Sequence, residues 1–106
     1  MSFRFMRMLL FFDLPRETSK QRAAAARFVK DLNKQGFIML QESVYCKLSL
    51  NASSLELQKE AVKKVKPSEG SVLLLTVTEK QFNSMEILLG SIENKQISDT
   101  ERILFV

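Results

Sequence analysis

Histidine and tryptophan are absent from these 106 residues, and cysteine occurs once. Without an imidazole no Ser-His-Asp or Cys-His nucleophile pair can be assembled, and half of the usual zinc ligand set is missing. The lone Cys46 has no intrachain disulfide partner and reads as an inert core residue. Any chemistry must therefore rest on carboxylates and a hard metal ion. Three Gly and two Pro leave no room for a long linker or a low-complexity segment, and no repeat at a solenoid period occurs. Long apolar runs are missing too: the richest stretch, residues 5–12, falls well short of the roughly 20 needed to span a bilayer. The opening MSFRFMRM lacks the order of a secretory signal, so a cytoplasmic protein with no membrane partner is expected.

What is present is one small domain of ordinary globular proportions, 45% hydrophobic and 26% charged. Residues 3–15, FRFMRMLLFFDLP, form its centre. Seven of the eight residues 5–12 are apolar, the pattern of a strand covered on both faces, and the run ends on a lone carboxylate, Asp13, at the strand tip. Thr18 and Gln21 make a capping box that starts a helix, with Ala25, Phe28, Val29 and Leu32 on one face, and Gly36 ends it. Lys20, Arg27 and Lys34 recur every seven residues on nearly the opposite face, with Lys30 beside them. Residues 1–34 carry eight Lys or Arg against three acids, whereas the remainder carries eight against nine. The basic field thus belongs to the first strand, its loop and its helix, which points to a polyanion on one face.

Residues 37–50 read as two strands broken at Gln41-Glu42, the second with Val44, Cys46, Leu48 and Leu50 inward and Lys47 on its other face. A capping box at Ser53 and Glu56 opens a second helix through about Lys66, with Leu55, Val62 and Val65 inward. Lys63, Lys64 and Lys66 crowd its last turn, where the helix dipole favours cations. Residues 71–78 are a strand, Thr78 and Gln81 cap a short helix carrying Phe82 and Met85, residues 90–99 are polar, and residues 102–106 return as a short apolar strand. The expected fold is α+β: a ferredoxin-like βαββαβ core over residues 1–78, an antiparallel sheet with two helices on one face, and an added helix, polar loop and terminal strand over 79–106. Two helices cover one face only, yet the first and fourth strands are apolar on both. A homodimer, with the terminal strand pairing across to the second copy, is the economical cover.

LLFFDLP, the basic helix, GFIMLQESVY and LLLTVTEKQF together resemble the small CRISPR-associated family Cas-two of the spacer-acquisition module, over nearly the whole chain. TVTEKQF is most similar to members from Cas9-bearing systems. The resemblance implies a homodimer that bridges two dimers of the integrase Cas-one and holds duplex DNA along its basic surface, with Asp13 as the metal-binding and catalytic residue. Mg²⁺, or Mn²⁺ in its place, suits an oxygen ligand that leaves most of the shell as water. Glu17 and Glu42 are further ligand candidates, and Arg16, Lys20, Arg22, Arg27 and Lys47 are the phosphate candidates. Two roles stay open: a metal-dependent endonuclease, toxin-like and acting on RNA or DNA through Asp13, and a DNA clamp and adaptor for which catalysis is not needed. Asp13 could equally serve only the turn before Pro15. An RNA-recognition-type module is disfavoured, because its aromatic, Gly-containing partner motif is missing from the third strand.

Overall fold

The computed structural model describes residues 5–90 and 104–105. At its centre is β1 (Met6–Asp13), flanked by β3 (Val44–Ser49) and β4 (Ser71–Thr78), with β2 (Ile38–Gln41) outside β3. The order β2-β3-β1-β4 is antiparallel at every step. With α1 (Ser19–Lys34) and α2 (Ala52–Val65) between the strands this is the expected βαββαβ arrangement. No helix among the described residues is long and apolar enough to cross a membrane.

The double-sided apolarity of β1 sorts into two clusters. Met8, Leu10 and Phe12 face the helices and pack with Ala25, Phe28 and Leu32 of α1, Leu55 and Val62 of α2, and Tyr45. Phe12 meets Phe28 edge-on at 5.2 Å and stacks on Tyr45 at 5.6 Å, geometries that suit the ring quadrupoles. Leu9 points the other way, onto Cys46 and Phe82, with Phe11, Ile38, Leu40, Val77 and Met85 around them. Phe82 belongs to α3 (Glu79–Asn83), capped by the Thr18-like box at Thr78 and Gln81. The chain therefore covers part of its second sheet face itself, which two helices alone could not do. What stays bare on that face is β4, where Leu73 and Leu75 are 63% and 52% exposed.

Several expectations change. The cap of α2 is Asn51, whose side chain accepts from the Ser54 amide at 2.8 Å, and not Ser53. Strand β3 ends at Ser49, so the chain has only two residues in which to turn into the helix. In β3 the pattern alternates as expected, but Tyr45, Lys47 and Ser49 lie on the helix-covered side, since Tyr45 belongs to the cluster beneath α1 and α2. The stretch after α3 contains an unforeseen two-residue strand, β5 (Glu86–Ile87). The terminal strand, β6 (Leu104–Phe105), expected to pair across to a second copy, has a parallel partner in β5 within its own chain. A backbone edge next in space supplies a ladder without a partner chain. The polar loop expected over residues 90–99 lies almost wholly outside the described residues.

Candidate metal and nucleic-acid site

Asp13 is the last residue of β1 and is exposed. By strand alternation it shares the face of Leu9 and Phe11, away from α1 and α2. Two turns close around it. On the β4 side Ser71 stands opposite Asp13 in the ladder, and the turn before it approaches so closely that a Cβ on Gly70 would lie 2.6 Å from the Asp13 carbonyl oxygen. On the β3 side the hairpin Glu42-Ser43 joins the paired Gln41 and Val44, and Ser43 has a left-handed φ of 66°. The Ser43 carbonyl accepts a hydrogen bond from the Phe12 amide at 3.1 Å, which fastens the hairpin to the end of β1. The result is a shallow groove lined by Phe11, Phe12, Asp13, Ser43, Val44, Ser71 and Leu73.

The donor set in this groove is one carboxylate and two hydroxyls, all hard oxygen, which fits a cation such as Mg²⁺ that keeps most of its water. Among the described residues no three acidic or thiol groups gather into a metal cluster, and Asp13 is the carboxylate that lines the groove, with neither Glu17 nor Glu42 in its lining. The lining of this groove thus offers one anionic ligand.

The cations fall into two sets. Arg16, Lys20 and Arg27 are exposed on the β1–α1 loop and α1, as are Lys30 and Lys34. Arg22, itself exposed, donates from Nη1 to the carbonyls of Arg16 and Glu17, at 3.0 Å each, and so shapes the loop. Lys47 is different. It is half-buried beneath the end of α1, its ammonium donates to the Gln35 carbonyl, and it lies 5.8 Å from the Phe37 ring. Burial pushes its pKa down. Gly36 and Phe37 donate to the carbonyls of Asn33 and Leu32, a Schellman ending, so Lys47 completes a helix C-terminus by satisfying a further carbonyl.

Arg7, counted in the basic field, is 3% exposed and makes a two-pronged pair with Glu79 at 2.8 Å per bond, beneath the Phe82 ring at 4.6 Å. It anchors α3 to the sheet and adds no outward charge. Sequence reasoning missed Ser43, Gly70, Ser71 and this pair. Ser43 had a legible signal: a two-residue loop between strands demands a positive φ.

Residues 6–85 match the family described as CRISPR associated protein Cas2. The chain belongs to the Cas2 family. A CRISPR-associated endoribonuclease Cas2 of Treponema denticola is 44% identical over 99 residues, covering 93% of this chain and 98% of that protein. One from Campylobacter jejuni is 43% identical over 96% of this chain and 73% of its own length. One from Streptococcus mutans is 43% identical over 95% and 93%. The Cas2 match spans all of β1 to α3, and so includes Asp13, both turns around it and the basic helix.

Proposed function

We propose that this Cas2-family chain acts in CRISPR adaptation as a two-fold homodimer that bridges integrase dimers and clamps duplex spacer-precursor DNA. The observation that carries the reading is the row of exposed cations on α1, Lys20, Arg27 and Lys34, on the helix face opposite its buried Ala25, Phe28 and Leu32. Cations presented at seven-residue intervals along one rigid helix suit the regular charge of a nucleic-acid backbone, and such contacts read no sequence. Leu73 and Leu75 support the dimer, since exposed leucines on the sheet face call for an apolar cover.

A second reading, cleavage of RNA, is favoured by the relatives' name of endoribonuclease and by Asp13 standing open to solvent beside two hydroxyls. Mg²⁺ or Mn²⁺ at Asp13 would supply Lewis-acid polarisation of a phosphate oxygen and a more acidic water. Asp13 would hold the cation, Ser43 and Ser71 would bound the groove, and the second carboxylate would come from the other copy.

Both readings are tested together by comparing the wild type with Asp13→Asn and with the Lys20, Arg27 and Lys34 to Ala triple variant. For the clamp, the triple variant flattens the salt dependence of duplex binding by about 2–3 units of log–log slope for each protomer in contact with the duplex, and Asp13→Asn keeps both binding and spacer acquisition. An unchanged slope would sink the assignment of these cations. Mg²⁺-dependent RNA cleavage that disappears in Asp13→Asn together with acquisition would favour the nuclease.

A further inference from the structure

The hairpin residue beside Asp13 is a serine in a conformation that glycine adopts without strain. A non-glycine residue at φ 66° carries a conformational cost of about 1–3 kcal/mol, and asparagine or glycine are the usual occupants of such a turn. The turn itself needs only backbone atoms: the bond to β1 is made by the Ser43 carbonyl. The side chain is therefore surplus to the hairpin, yet Ser43 is among the residues that line the groove of Asp13. Across that groove, Ser71 is the direct cross-strand neighbour of Asp13, and partners of this kind have Cβ atoms about 5 Å apart. Two serines from separate turns thus share one groove with one carboxylate. No second anion is within the groove lining.

We propose that Ser43 and Ser71 are positioning residues of the Asp13 site, whose hydroxyls hydrogen-bond the water shell of a hard divalent cation held by the carboxylate. The inference rests on the metal reading of Asp13. A cation held by one carboxylate from each copy keeps several waters, and those waters donate to neutral oxygens at the rim. Hydroxyls serve here better than carboxylates would, because they orient the shell without adding negative charge to a protein that has to approach phosphates. The strained turn is retained because glycine would remove one of the two hydroxyls.

Mn²⁺ binding to the full chain, followed by electron paramagnetic resonance alongside thermal unfolding, tests this without any activity assay. The wild type should bind Mn²⁺ and Asp13→Asn should lose it. Ser43→Gly and Ser71→Ala should each weaken binding by about three- to tenfold, the worth of one hydrogen bond. Ser71→Thr, which keeps a hydroxyl on a strand, should bind like the wild type. Ser43→Gly should show an equal or higher Tm, since glycine relaxes the turn. Wild-type affinity in both Ser43→Gly and Ser71→Ala, with Asp13→Asn still deficient, would overturn the positioning role and leave the metal reading standing. Binding that survives Asp13→Asn, or no binding in the wild type, would overturn the metal reading and this inference with it. A lower Tm in Ser43→Gly would assign the hydroxyl to the turn and overturn its role at the site.

Discussion

An alanine at position 70 would bring its methyl to 2.6 Å from the Asp13 carbonyl oxygen and 2.9 Å from Leu14, at a φ of +98° that L-residues rarely adopt. Both the backbone contact and the φ oppose the change, so Gly70→Ala should cost about 2–4 kcal/mol in urea unfolding. A loss below about 0.5 kcal/mol, the range of ordinary surface substitutions, would mean that the turn does not press on β1. Buried Tyr45 and half-buried Lys47 give alkaline predictions of opposite sign. Burial raises the Tyr45 phenol above its ordinary 10.0, so its contribution to stability is complete below pH 10 and is lost as pH climbs through the folded value. Burial lowers Lys47 from 10.5, so the folded chain gains as pH rises from the folded value towards 10.5. Tyr45→Phe should flatten the loss of urea stability above pH 10 and leave the neutral-pH value nearly unchanged. An alkaline limb as steep as the wild type's would show that Tyr45 is not its source.

At the scale of elements, most of the boundaries follow from local chemistry. The boxes at Thr18 and Thr78 are formed in full, with Gln21 and Gln81 reaching back to the cap amides. The misread start of α2 shows why such signals compete. Asn51 and Ser53 both resemble caps, but only Asn51 sits where the chain leaves β3, and its Oδ1 reaches the Ser54 amide. Asn51→Ala should therefore destabilise by about 1 kcal/mol, whereas Ser53→Ala, at an exposed position inside the first turn, should stay within about 0.5 kcal/mol of the wild type. Equal losses would revive the Ser53 cap. The inward rows Ala25, Phe28, Leu32 and Leu55, Val62 were legible because helical period depends only on spacing along the chain. Which side of β3 goes under those helices was not, since Tyr45, Lys47 and Ser49 alternate just as well as Val44, Cys46 and Leu48.

For the whole molecule, the exposed sheet face is the feature on which the proposed homodimer rests. α3 buries Leu9 and Cys46 with Phe82, leaving Leu73 and Leu75 of β4 exposed. Burying a leucine fully is worth about 1.5–3 kcal/mol, so four leucines across a two-fold contribute substantially to an interface. Leu73→Lys with Leu75→Lys should convert a dimer into a folded monomer by light scattering, with thermal stability of the single chain retained. A double variant that still dimerises would place the interface elsewhere.

The sequence by itself determined the order of the βαββαβ core, two of the three caps, the cation row on α1, the position of Asp13 at a strand end and the family. Each depends on neighbours within a turn or two of chain, or on motifs read directly. Only the tertiary structure decided that Arg7 pairs with Glu79, 72 residues away, that Lys47 closes α1, and that Ser71 and Ser43 flank Asp13. Those pairings follow from strand register and from which face each strand turns to the helices. Register is set by packing between segments remote in sequence, and a one-residue slip would exchange the two faces, so no local pattern specifies it.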